Sequence, residues 1–330
     1  MKAVVTGGGG FIGSYLTRRL VRDGWSVSVV DNLARGRVER LSDVLEEIEW
    51  QQADVRDVER WESACQDADV VFHLAAVNGT ENFYNHPQLV LDVGLRGALA
   101  VVTAARKFNV PELVIASSAE VYQTPTKVPT DETAALTLPD SLNPRYSYAG
   151  SKIASELIAF NYHRDFFRRV QVFRPHNVYG PDMGWKHVIP QFIVRALRAI
   201  NESPSGPIPF EIQGDGSETR AFCYVDDVVE GIVTMHAAGA HRSVYHIGNP
   251  EMVTIGGLVD ELGRLLERTL TVVPGAEAAG GTRARCPDIA KMMAIGYLPR
   301  VNLAEGLSRT LEWYRAHQLF PDGSVLQELL

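Results

Sequence analysis

The chain has 330 residues, 45% of them hydrophobic, and 40 acidic against 32 basic side chains give a net charge of −8. That length can bury one large core or two fused ones, and an acidic balance without a basic run argues against a nucleic-acid partner. No run approaches the roughly 18 consecutive apolar residues of a membrane span, and Met1-Lys2 leads directly into a strand pattern without a signal-peptide pattern, so a cytoplasmic protein with no membrane partner is expected. Cys65, Cys223 and Cys286 are odd in number, far apart and outside metal-ligand spacing; buried thiols are expected, with no disulfide frame and no metal site.

In chain order, Lys2-Ala-Val-Val-Thr6 is an apolar strand that breaks into glycines and then an apolar-periodic helix. Gly7, Gly10 and Gly13 follow G-x-x-G-x-x-G. Such a turn reverses the chain sharply, brings bare backbone to a pyrophosphate and offers it the positive end of a helix. The second run, Trp25–Val30, ends in Asp31, near the interval of about 20 residues at which an acid meets an adenosine ribose. Asp31 repels a 2′-phosphate and accepts from a free diol, which favours NAD over NADP, with Arg35 and Arg37 close by. Ile48–Ala53 is a third strand, followed by Asp54-Val55, a pair placed to cap the adenine or simply to start the next helix. Asp69–Ala75 is a buried fourth strand, and Leu74, Ala75 and Ala76 are small enough to line the cofactor's path.

The segment 77–86 reads as a loop, a long helix runs from about Gln88 to Lys107, and Leu113–Ala116 is a fifth strand. Strands alternating with helices at this interval imply βαβ units and a parallel sheet, with the ligand cleft at the strands' carboxyl ends. Ser117–Tyr122 lies at that rim. After a Pro-rich loop, a helix from near Ser147 to about Arg168 carries Tyr148 and Lys152 four apart on one face. An ammonium one turn away favours the phenolate of a tyrosine whose ordinary pKa is about 10; an exposed pair on an amphipathic helix is the bland alternative.

Thr6–Gly13, Asp31-Asn-Leu33, His73-Leu-Ala-Ala76, Ser117-Ser-Ala-Glu-Val-Tyr122, Tyr148-Ala-Gly-Ser-Lys152 and Asn177-Val-Tyr-Gly-Pro181 together resemble the extended short-chain dehydrogenase/reductase family. More narrowly they resemble its nucleotide-sugar epimerases and dehydratases, in the right order over nearly the whole chain. The resemblance implies an α/β fold: a Rossmann-type doubly wound parallel sheet with a smaller, mostly C-terminal α/β substrate domain. The expected NAD-binding part is residues 1–176 plus about 216–242, and the nucleotide-sugar part 177–215 and 243–330.

By that resemblance Gly7, Gly10, Phe11, Ile12, Gly13, Asp31, Asn32, Asp54, Val55, Leu74, Ala75, Ala76, Tyr148 and Lys152 hold NAD. Asn78, Ser118, His176, Asn177, Val188, Arg220 and Arg285 hold the nucleotide sugar, Asn177 and the two arginines at its diphosphate. Tyr148 is the base for a sugar hydroxyl, Ser118 bonds the same oxygen, and Lys152 tunes Tyr148. The implied activity is 4-epimerisation through a 4-keto sugar. Glu120 keeps the GDP-mannose type of 4,6-dehydratase and the glucuronate decarboxylases as alternatives; a catalytically dead NAD sensor is a remote one. Ala119 stands where dTDP-glucose dehydratases carry an acid, and Gly94-Leu-Arg-Gly97 stands where the family usually has Asn-x-x-Gly. Family members often dimerise through the helices beginning near Gln88 and Ser147, so a homodimer is expected.

Overall fold

The computed structural model describes residues 1–276 and 282–317. The chain runs β1 (Lys2–Thr6), α1 (Phe11–Arg22), β2 (Ser26–Asp31), β3 (Ile48–Gln52), β4 (Val70–His73), α2 (Thr80–Asn85), α3 (Pro87–Lys107), β5 (Glu112–Ala116), α4 (Ser147–Asn161) and β6 (Arg169–Pro175). Then follow β7 (Val178–Tyr179), α5 (Val188–Glu202), β8 (Ile208–Ile212), β9 (Thr219–Ala221), β10 (Cys223–Tyr224), α6 (Val225–Ala238) and β11 (Ser243–Ile247). The last are β12 (Met252–Thr254), α7 (Ile255–Leu265), β13 (Leu270–Pro274), β14 (Ala284–Arg285), α8 (Ala290–Met293) and α9 (Leu303–His317).

Among the described residues, seven strands form one parallel sheet in the order β11-β6-β5-β4-β1-β2-β3. Every residue of β4 and β5 is buried, as expected of strands covered on both faces. The order in which strands are added reverses between β1 and β4, with β2 and β3 on one side and β5 and β6 on the other, which opens a crevice above the carboxyl ends of those two strands. One face is packed by α1 and α6, the other by α3 and α4.

The smaller unit holds β8 with β13, and β9 between β12 and β14. Its core gathers Ile189, Phe192, Ile193, Phe210, Leu258, Leu262, Leu307 and Leu311 beneath α5, α7 and α9. β11 corrects the expected division of the chain. It pairs in register with β6, Val244 to Val172, and so belongs to the large sheet although residues 243–330 were assigned to the substrate part. Its apolar run satisfies either sheet equally; the free edge of β6 decides.

Three other elements differ from the sequence expectation. Residues 80–85 form a helix inside the expected loop, and Phe83 is buried from it. α4 stops at Asn161 rather than near Arg168: His163 takes a positive φ of 52°, and Phe167 turns into the core before β6 begins. α3, with a mean hydropathy of 1.5, is long and apolar enough by composition to cross a membrane, contrary to expectation; half of that window is buried in the protein, as in the core helix of a globular domain. It lies so close to α4 that a Cβ at Gly94 would come within 2.6 Å of the Ser151 Cβ. Close helix packing therefore accounts for glycine where the family pattern has asparagine.

Candidate active site

The glycine turn is a cradle that side chains cannot enter. A Cβ on Gly13 would lie 2.1 Å from the Gly7 carbonyl oxygen, and one on Gly7, which has a φ of +76°, would lie 2.7 Å from the Ala75 nitrogen. The turn thus brings the start of α1 against the end of β4 and leaves bare backbone facing the crevice. Asp31, at the tip of β2, is buried and accepts from the N–H groups of Gly9 at 3.0 Å and Leu33 at 2.8 Å. Burial raises its carboxyl above the usual range against the pull of these bonds. Arg37 and Arg40 bind Asp182, with Arg40 Nε 3.0 Å from Oδ2, and the Arg40 charge also favours the Asp31 carboxylate against its burial.

The crevice continues as a cleft of about 750 Å³. Gly7, Gly10, Phe11, Ile12, Gly13, Asp31, Asn32, Asp54, Val55, Leu74, Ala75 and Ala76 line it, and so do Asn78, Ser118, Glu120, Tyr148, Lys152, Asn177 and Arg285. Asn32 Nδ2 donates to Asp54 Oδ2 at 2.9 Å, which joins the tips of β2 and β3 at the adenosine end. A dinucleotide fits this donor set: a side-chain-free turn at a helix start, a buried acid eighteen residues beyond, and small residues between them and Tyr148.

At the far end, Tyr148 is 7% exposed, hydrogen-bonds with Ser118 and stacks on Phe83 with ring centroids 4.9 Å apart. Burial raises its hydroxyl to about 12, and Glu120 adds to this, against the lowering effects of Ser118 and Arg35. Lys152 lies with Nζ 5.7 Å from the Tyr148 ring centroid and donates to the Ala116 carbonyl at 2.7 Å. Burial lowers its ammonium to about 8, opposed by Glu156. Desolvation is thus the first cause of the raised Tyr148 pKa, with the Lys152 ammonium one turn away beside the ring.

Four expected substrate residues are placed differently. His176 is 1% exposed and does not line the cleft; its ring packs edge-on against His246, because the β6–β7 turn swings it inward while Asn177, at a φ of +39°, faces the cleft. Val188 starts α5 facing the small core, and the neighbouring Trp185, Lys186 and His187 line the cleft instead. Arg220 lies in register with Arg285 on parallel strands but stops behind it, donating to the Thr219 carbonyl at 2.8 Å. Arg285 reaches the cleft, where its Nη1 is 2.5 Å from Glu120 Oε1 rather than free. Burial alone would raise the Glu120 carboxyl, but Arg285, with Arg145 and Arg220, outweighs it and holds the group below the usual range.

Sequence reasoning missed a buried polar group under this site. Glu156, one turn beyond Lys152, receives Arg174 through Nε at 2.8 Å and Nη2 at 2.6 Å, and accepts from Ser117. Arg174 also reaches Tyr122, which bonds His246 at 2.6 Å. The spacing from Lys152 was the available signal; Phe83 had none, because nothing in a six-residue helix announces its partner.

Residues 3–248 match the family described as Epimerase: NAD dependent epimerase/dehydratase family. The chain is 30% identical over 328 residues to a UDP-glucose 4-epimerase of Mycolicibacterium smegmatis, covering 96% of this chain and 99% of that one. It is 29% identical to UDP-glucuronic acid decarboxylase 1 of Arabidopsis thaliana, covering 98% of this chain and 72% of that one. The structure resembles the dTDP-glucose 4,6-dehydratase DesIV of Streptomyces venezuelae, crystallised with NAD bound: TM-score 0.84, 28% identity, 96% and 98% of the two chains.

Proposed function

The chain belongs to the NAD dependent epimerase/dehydratase family, whose structural neighbours carry NAD, and from that premise we propose that it is a nucleotide-sugar 4-epimerase. The observation that carries this reading is the make-up of the reacting end. Ser118, Tyr148 and Lys152 meet there, Ala119 stands beside them, and Glu120, the neighbouring carboxylate, is already paired with Arg285. Oxidation at C4 and return of hydrogen from the other face need only the first three groups and room for the sugar to turn. Eliminating a C6 hydroxyl needs an acid as well, and a carboxylate held ionised is a poor one.

In this reading the glycine turn, Asp31 and the Leu74–Ala76 wall hold NAD, which supplies the acceptor and later the donor of the C4 hydride. Tyr148 takes the C4 hydroxyl proton, Ser118 fixes the same oxygen, and Lys152 holds the cofactor's ribose side and supplies positive charge. Asn177 and Arg285 hold the sugar diphosphate, and Trp185–His187 close the far wall. A homodimer through α3 and α4 is part of the proposal, supported by Leu91 and Leu157, which are 38% and 60% exposed on those helices.

Decarboxylation is the second reading, favoured by Glu120, which lies two places after Ser118, where the resemblance to glucuronate decarboxylases has a glutamate, and lines the cleft with Tyr148. UDP-, GDP-, CDP- and dTDP-sugars are offered in heavy water and the products followed by NMR. Inversion at C4 without deuterium at carbon is expected. Deuterium uptake with a 6-deoxy-4-keto product, or release of carbon dioxide, overturns the epimerase reading in favour of dehydration or decarboxylation respectively.

A further inference from the structure

α2 is six residues long and begins after Gly79, whose φ is +110°. The polar groups of that turn are met within it: Asn78 Oδ1 accepts from the Gly79 N–H at 2.7 Å, and Asn82 Nδ2 donates to the Asn78 carbonyl at 2.9 Å. Glu81 reaches outward to Lys186, and both side chains are more than half exposed, so that pair does little to hold the helix. A helix this short is not stable by itself, and Phe83 is the one residue of α2 that is buried. What it buries against is Tyr148. Their ring centroids are 4.9 Å apart and the planes 14° from parallel, with Val90, Ala76 and Val77 packed around them. Phe83 also lines the cleft, so one ring both covers the base and faces the space for the sugar.

A base has to present its oxygen in a fixed direction. The tyrosine rotamer does not secure this, because the torsion about the bond to the ring is broad rather than staggered. The phenolic O–H lies in the ring plane through conjugation with the ring, so the plane sets the directions in which a proton can be taken or returned. Ser118 bonds the hydroxyl, but one hydrogen bond at the tip leaves the ring free to turn about its long axis. The flat face of Phe83 opposes that turning, since stacked rings lose their contact when one of them tilts. We propose that Phe83 is a positioning residue for the reaction: its ring holds the plane of the Tyr148 phenol, and α2 serves to carry it there. The proposal rests on the reading of Tyr148 as the base and adds to it a residue that acts through the base.

The experiment compares wild type, Phe83→Leu and Phe83→Tyr as NAD-loaded protein, with the glucose and galactose derivatives of UDP, GDP, CDP and dTDP. Leucine keeps an apolar side chain against Tyr148 but has no flat face; tyrosine keeps the face. The readouts are kcat and KM by NMR of the products, NAD affinity by fluorescence quenching, and the rate at which the Tyr148 ring flips. That rate is read from exchange broadening of the ring signals, assigned with Tyr148→Phe. Phe83→Leu is expected to lose about 100-fold in kcat, the cost of a misplaced reacting group, with KM and NAD affinity near wild type and a faster flip. Phe83→Tyr is expected to keep most of the kcat and the slow flip. Equal kcat in wild type and Phe83→Leu overturns the proposal. So does a loss shared by Phe83→Tyr, or one carried by KM or NAD affinity, since Phe83 would then only shape the wall. If wild type turns over none of these sugars, the epimerase reading fails by itself, and the ring flip decides Phe83: an unchanged rate in Phe83→Leu overturns the proposal. Far-ultraviolet circular dichroism shows that each variant is folded.

Discussion

Glu156→Gln tests how the floor of the site is held. Glu156 and Arg174 are 4% and 3% exposed, and each carboxylate oxygen takes one guanidinium N–H, at 2.8 and 2.6 Å. An amide at position 156 keeps one acceptor but turns an N–H₂ toward the guanidinium or toward Ser117. A buried arginine is then left without its counter-charge, which costs about 3–5 kcal/mol. At about 2.1 cal/mol/K per residue, a protein of this size has an unfolding entropy near 0.7 kcal/mol/K, so the thermal midpoint should fall by about 4–7 °C. Scanning calorimetry of the NAD-free protein reads this, with far-ultraviolet circular dichroism to show that the variant starts folded. Removing both charges in Glu156→Gln/Arg174→Met should recover most of the loss, because a buried pair contributes little net stability against an apolar replacement. A midpoint within about 1 °C of wild type in the single variant, or a double variant worse than the single one, refutes the reasoning.

Tyr148→Phe should keep NAD binding, because the ring can still stack on Phe83, and lose turnover by at least the factor of about 10²–10⁴ ascribed to a general base; retained turnover measured by NMR rejects Tyr148 as the base, and retained biological action without turnover favours the sensor alternative. Gly13→Ala places a carbon 2.1 Å from the Gly7 oxygen and should abolish NAD binding in fluorescence titration; a dissociation constant within tenfold of wild type shows that the turn yields. His73, His176 and His246 are buried, and burial holds all three below their usual range, His73 at about 3 and His246 at about 4. The unfolded chain takes up those protons below about pH 6.5 while the folded one does not. Stability should therefore fall as pH drops from 6.5 toward 4, by about 1.4 kcal/mol per pH unit for each histidine. With His187, which burial likewise lowers to about 4, calorimetry at pH 5 in buffers of different ionisation enthalpy should show an uptake of about four protons on unfolding; fewer than one refutes the assignment.

Much of the cleft was legible in the chain because its parts are local. A glycine turn, an acid at a strand tip and a Tyr-x-x-x-Lys spacing each need only a strand end or one helical face, and all of those residues line one cleft. The strands of the large sheet were legible for the same reason, since burial on both faces writes itself as short apolar runs.

Pairings between distant segments were not legible. Sequence placed Lys152 one turn from Tyr148, but only the folded chain shows the phenol stacked on Phe83 and the ammonium bound to the Ala116 carbonyl, both nearly out of reach of water. It offered Arg220 as the diphosphate clamp and Arg285 as a second; Arg285 lines the cleft, and Arg220, in register with it on the neighbouring strand, does not. It made His176 a sugar contact, and the turn after β6 buried it against His246. Period and spacing specify which face of an element a residue occupies. Which charge meets which, and how much water each one loses, depends on chain segments far apart in sequence closing on one another, 36 residues for Lys152 and Ala116 and 165 for Glu120 and Arg285, and that was decided only in the folded molecule.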